Sequence, residues 1–99
     1  MRLEWSAFAL EDRGAIFDYI EAESPRAAID VDEQIGNQLK LLIQHPKRGR
    51  EGRVAGTREV VIAHTPYLAA YLISGETIRI LRLLQHAQQW PDEMQSIGK

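Results

Sequence analysis

Cysteine is absent from this 99-residue chain. Its absence excludes a disulfide scaffold, a thiolate zinc site and a cysteine nucleophile together. It also fits a reducing compartment such as the cytoplasm. Long apolar runs are missing too. No stretch approaches about 18 consecutive apolar residues, so no membrane span is expected. Glu4 interrupts the N-terminus, where a secretory signal needs an apolar run. The common catalytic templates are also lacking: no P-loop, no G-x-G-x-x-G, no H-E-x-x-H and no G-x-S-x-G. His45, His64 and His86 are not paired at ligand spacing. Neither a metal nor another cofactor is therefore expected.

The chain has 44% hydrophobic and 26% charged residues, the balance of a folded domain and not of a disordered chain. Its length supports one core, so a single domain over 1–99 is expected. The net charge of −2 hides a division. Residues 1–46 carry four basic and nine acidic groups, a net of −5. Residues 47–82 carry seven basic and three acidic groups, a net of +4. Asymmetry of this kind can mark a partner.

Residues 2–5 alternate polar and apolar, as in a short half-buried strand. Ser6 is a candidate N-cap for a helix over Ala7–Glu23. Its apolar stripe is read as Leu10, Ile16, Phe17 and Ile20, with Glu11, Asp12, Asp18, Glu21 and Glu23 facing water. Gly14 inside it is read as a mark of close packing. Ser24-Pro25 opens a second helix over 25–45, with Ala28, Val31, Ile35, Leu39 and Leu42 as its stripe. Proline after His45 ends it. A basic loop with three glycines spans 47–56. The period then shortens, predicting strands Arg58–Ala63, Tyr67–Ile73 and Thr77–Leu84 joined by hairpin turns. The tail, 86–99, has room for one short helix near Pro91. This β–α–α–β–β–β order predicts an α+β two-layer sandwich, a helical hairpin packed on an antiparallel sheet.

Two features offer sites. The loop guanidinium groups of Arg48, Arg50, Arg53 and Arg58 can wrap a phosphate backbone, or form a solvated loop paired to Glu51 and Glu59. On a regular strand Arg82 shares parity with Ile78, Ile80 and Leu84, while Arg79 faces the other way. An arginine on a buried face must be paired, with a helix carboxylate or strand carbonyls, or open to a cleft. Trp90 is read as a core or edge anchor, or as a stacking platform.

The chain resembles the RelE/ParE superfamily of toxins from bacterial type II toxin–antitoxin modules, often called plasmid stabilisation proteins. The resemblance is carried by Leu3-Glu4-Trp5-Ser6, Ile16-Phe17-Asp18-Tyr19-Ile20 and Ser24-Pro25-Arg26-Ala27-Ala28. It continues through Gly49-Arg50-Glu51-Gly52-Arg53-Val54 and Gly56-Thr57-Arg58-Glu59. Its most specific parts are Ile78-Arg79-Ile80-Leu81-Arg82-Leu83-Leu84 and Gln88-Gln89-Trp90-Pro91. The resemblance implies one of two activities. ParE-like members poison DNA gyrase by binding. RelE-like members are metal-free, ribosome-dependent endonucleases that cut mRNA in the A site. The strands Glu59–Ala63 and Tyr67–Tyr71 carry no basic residue, where RelE-like enzymes usually place lysines or arginines. The ParE branch is therefore expected, with no catalytic residue. Its target- or antitoxin-binding set is Arg48, Arg50, Arg53, Arg58, Arg79, Arg82 and Trp90. The alternative nuclease would use Arg58, Arg82 and His86, and an inactive homologue is a third reading. Many ParE-like sequences carry histidine directly after the last strand; here Gln85 stands first and His86 follows. The resemblance also implies a cognate antitoxin, a DNA-binding dimer whose C-terminal segment wraps the toxin. That segment is expected over the groove between hairpin and sheet, neutralising part of the basic loop.

Overall fold

A computed structural model describes residues 1–86. Strand β1 (Arg2–Trp5) leads into helix α1 (Ala7–Glu21) and helix α2 (Pro25–Lys40). A single 3-10 turn over Leu41–Ile43 closes the helical region. Strands β2 (Arg50–Glu51), β3 (Arg58–Val61), β4 (Tyr67–Ser74) and β5 (Thr77–Gln85) follow. The two helices pack on a five-stranded sheet of order β1-β5-β4-β3-β2. Among the described residues, no helix is long and apolar enough to cross a membrane. The expected short helix near Pro91 lies outside the described residues, as does Trp90.

The caps stand where serine placed them. Ser6 Oγ accepts from the Ala9 amide at 3.0 Å and donates to the Leu81 carbonyl at 2.9 Å, so one hydroxyl starts α1 and ties it to the sheet. Ser24 Oγ accepts from the Ala27 amide, with proline in the first turn of α2. The α2 stripe is as predicted: Ala28, Ile35, Leu39 and Leu42 are buried. The α1 stripe differs. Leu10 is exposed, and Ala9, Arg13, Ile16 and Ile20 form the inward face. Arg13 is inward because Asp32 of α2 takes its guanidinium at 2.7 and 3.1 Å and the Trp5 ring lies beneath it at 4.9 Å.

The sheet is mixed, not wholly antiparallel. Strands β2 to β5 are antiparallel, but β1 runs parallel to β5 because the helical hairpin carries the chain over before the meander begins. The β4–β5 hairpin turns on Gly75-Glu76, with Gly75 at a positive φ of 58°. Tyr71 pairs with Ile80 and Ala70 with Arg82, so Leu81 is an extra residue in β5. This bulge ends the regular parity assumed for Arg82. Ile78, Ile80 and Leu83 pack under the helices, while Leu81 and Leu84 join Val54, Leu68 and Ala70 in a second cluster that, among the described residues, contains none from α1 or α2.

Gly14 has nothing within 4 Å of where a Cβ would stand, so it does not mark close packing. It is an exposed helical glycine. Gly14→Ala is expected to stabilise the protein by about 0.5–1 kcal/mol, since alanine lowers the entropy of the unfolded chain and meets no clash. Urea unfolding checks this; an unchanged or lowered midpoint would contradict it.

Candidate functional site

The basic loop is fastened to β3 and β4 by three side chains. Tyr71 is fully buried, and its hydroxyl donates to the Pro46 carbonyl at 2.7 Å while accepting from the Gly49 amide at 2.9 Å. Burial pushes this phenol above its ordinary range, with the Gly49 amide and the Arg58 charge pulling partly back, so it stays neutral near pH 7. Arg58 reaches the same segment and donates to the Gly49 carbonyl at 2.7 Å and the Lys47 carbonyl at 3.4 Å. Glu59 holds the next stretch. Its buried carboxylate accepts from the Arg53 amide at 2.9 Å and from the Arg53 guanidinium at 3.1 Å, and Arg50 lies 3.8 Å away.

Of the two readings of this loop, pairing therefore holds for Arg50 and Arg53, through Glu59 and not Glu51. Among the described residues Arg58 has no carboxylate partner; half-buried, it braces loop carbonyls. Lys47 and Arg48 point into solvent, and Arg50 keeps 70% of its side chain exposed. The loop is thus fastened to the sheet while it presents cations outward. Glu59 was one of the two carboxylates expected to pair with the loop arginines; Tyr71 was not singled out from sequence.

Arg82 belongs to a different place. Asp12 of α1 takes its guanidinium in a fork, at 2.7 and 2.9 Å, and the Phe8 ring lies 5.6 Å from its centre. The same carboxylate accepts from the Leu83 amide at 3.0 Å. Strand β1 ends at the Trp5–Ile80 pair, so among the described residues β5 continues beyond it without a strand neighbour on that side. Asp12 supplies the acceptor that a strand would have given. The expectation that Asp12 faces water is wrong for this reason. The signal was available: Asp12 sits three residues after the buried Ala9 and four before Ile16, on the inward flank of α1.

Arg79 is an exposed residue 3.5 Å from Glu4, a surface pair of little energetic weight. His86 is exposed just past β5, with its ring Nε2 3.3 Å from the Tyr67 carbonyl and its amide donating to Pro66. The three side chains of the nuclease reading make separate contacts. Arg58 braces the loop, Arg82 is held by α1, and His86 leans on the β3–β4 turn.

Beside Arg82 a groove of about 230 Å³ opens between α1 and the ends of β4 and β5. Asp12, Ala15, Ile16 and Tyr19 form one wall and Tyr67, Leu83 and Gln85 the other. Burial, and then the neighbouring Tyr19, push the Tyr67 phenol up, while a hydrogen bond with the Gln85 side chain acts the other way.

Comparison with known proteins agrees with this architecture. A Sinorhizobium fredii protein named as a toxin, Y4kP, is 40% identical over 90 residues, which is 91% of this chain and 93% of that protein. Toxin RelE2 of Caulobacter vibrioides is 35% identical over 83 residues, 84% of this chain and 91% of that one. A chain of the chromosomal ParDE system from P. aeruginosa superimposes with a TM-score of 0.78 at 31% identity, covering 86% of this chain and 95% of that one. The intact E. coli RelBE complex contains a chain of the same fold, with a TM-score of 0.64 at 13% identity over 88% and 98% of the two chains. The profile of the ParE toxin of the type II toxin–antitoxin system parDE matches residues 3–90, and the chain belongs to that family.

Proposed function

We propose that this toxin arrests growth by binding DNA gyrase, without catalysis, and that a cognate antitoxin dimer holds it inactive. One observation carries the choice against a nuclease. Two of the cations a phosphoryl-transfer site would need are committed within the fold, Arg58 to the Gly49 and Lys47 carbonyls and Arg82 to Asp12. The fastened loop with outward Lys47, Arg48 and Arg50 is then the target-facing surface. The antitoxin partner is supported by the similarity to a ParDE system.

Purified toxin should stop gyrase supercoiling, or trap cleaved DNA, at near-stoichiometric amounts. Full gyrase activity together with codon-dependent mRNA cutting on ribosomes would overturn the proposal in favour of the RelE-like reading. Growth of induced cells unaffected by the chain would point to the inactive homologue.

A further inference from the structure

We propose that the outer edge of β1 is a self-pairing surface, where a second copy of this chain adds its own β1 antiparallel across a two-fold axis at Leu3. Pairing of this kind needs neither gyrase nor an antitoxin.

Strand β1 lies at one end of the sheet order. The Arg2 amide donates to the Glu76 carbonyl at 2.8 Å and the Ser6 amide to the Ile80 carbonyl at 2.9 Å. Arg2, Glu4 and Ser6 therefore turn their main-chain groups to β5, and Leu3 and Trp5 turn theirs away from the sheet. Among the described residues, no hydrogen bond reaches these outward N–H and C=O groups. The other side of the sheet is treated differently. There the Gln38 side chain accepts from the Ala63 amide at 2.7 Å and donates to the Ala63 carbonyl at 2.9 Å, closing the edge just past β3. An edge left open is a template for another strand. Beside it Leu3, Trp5, Glu33, Asn37 and Lys40 border a cavity of about 280 Å³ between β1 and α2. A strand added here carries its own leucine into that space, on the side where Leu3 and Trp5 pack against the core.

Charge selects the partner and the register. With Leu3 opposite the second copy's Leu3, the two exchange a pair of main-chain hydrogen bonds, and Arg2 of each copy stands opposite Glu4 of the other. Those are the close, non-hydrogen-bonded positions, about 4.5 Å between Cα atoms, where opposite charges favour pairing. The Arg2 and Glu4 side chains keep 74% and 42% of their surface, so both can reach a neighbouring strand. Setting Leu3 opposite Trp5 instead would place Glu4 against Glu4, and like charges reject that register. The same axis suits α2. Glu33 and Lys40 lie symmetrically about Gly36 and Asn37, which border the cavity together with Leu3. A two-fold axis there sets the two α2 helices antiparallel, with Glu33 of each toward Lys40 of the other. Both are exposed, and among the described residues neither has an ion-pair partner.

The test is sedimentation velocity on the whole chain at rising concentration. The patch is small, so a weak dimer is expected, with a dissociation constant on the order of 10 µM. Arg2→Glu and Glu4→Arg should each weaken dimerisation at least about tenfold, since each sets like charges opposite one another in both symmetric pairs. Mixed together, the two variants should dimerise again, because the acidic edge of one meets the basic edge of the other. Both side chains are largely exposed, so the variants should fold; unchanged circular dichroism and melting check this. Glu33→Lys, away from the strand, should weaken the dimer about threefold. A native chain that stays monomeric up to about 1 mM overturns the proposal. So does a dimer that tolerates either β1 variant, or a mixture of the two that fails to restore it. A dimer indifferent to Glu33→Lys lacks the α2 contacts and overturns the two-fold arrangement.

Discussion

Asp12→Ala is expected to destabilise the toxin by about 2–3 kcal/mol, far more than removal of any other carboxylate on α1. The substitution takes away both forked bonds of Arg82 and leaves the Leu83 amide without its acceptor. Breaking a fully buried pair costs about 3–5 kcal/mol. The two side chains here keep 14% and 17% of their surface, so water recovers part of that. Asp12→Asn should be milder, because an amide oxygen can still accept from Leu83 while the charge is lost. Urea unfolding of both variants, with Glu11→Ala as a surface control, gives the ranking. A loss below about 0.5 kcal/mol for Asp12→Ala would mean that the pair contributes little.

The same pair shows what was and was not legible beforehand. Local rules carried far. Ser6, Ser24 and Pro25 start helices through bonds made within one turn, so a three-residue window suffices to read them. The α2 stripe is legible because five apolar residues repeat at helical spacing, four on α2 and Leu42 on the 3-10 turn that continues it. Arg82 was legible only as a problem. Strand parity placed it on a buried face, and the choice between an ion pair and a cleft stayed open. The answer depends on the bulge at Leu81, which no local pattern announces, and on Asp12, seventy residues away. The α1 stripe was misplaced for a related reason. Arg13 occupies an inward position through a partner on another helix, and a hydropathy pattern assigns arginine to water. Charge counting met the same limit. The acidic front half is solvated along Glu11, Asp18, Glu21 and Glu23, yet Asp12 and Asp32 are spent on cross-links between elements.

Gly49→Ala should be as damaging as Asp12→Ala, and it tests the loop as a mount for cations. A Cβ at this position would stand 2.7 Å from the Tyr71 hydroxyl oxygen, 2.8 Å from Tyr71 Cε1 and 2.9 Å from the Glu59 carbonyl oxygen. No neighbour can yield cheaply, since the tyrosine is fully buried and the carbonyl belongs to the sheet. Overpacking of this kind costs about 1–3 kcal/mol. Relief requires the loop to lift, which breaks the Gly49–Tyr71 bond and strands a buried hydroxyl acceptor, adding about 1 kcal/mol or more. The total expected is about 2–4 kcal/mol. Tyr71→Phe separates the two effects, because it removes the hydroxyl contact and both of its hydrogen bonds but leaves the loop free of overpacking. Gly49→Ala combined with Tyr71→Phe should therefore be less destabilised than the sum of the single variants. Strict additivity in that cycle would show that the hydroxyl is not what excludes a side chain at Gly49. Where the single variants still fold, the gyrase inhibition proposed above should fall more than stability predicts, because Lys47, Arg48 and Arg50 lose the fastened backbone that aims them. Inhibition that simply tracks the folded fraction would mean the loop's cations act as a diffuse charge and not as a positioned surface.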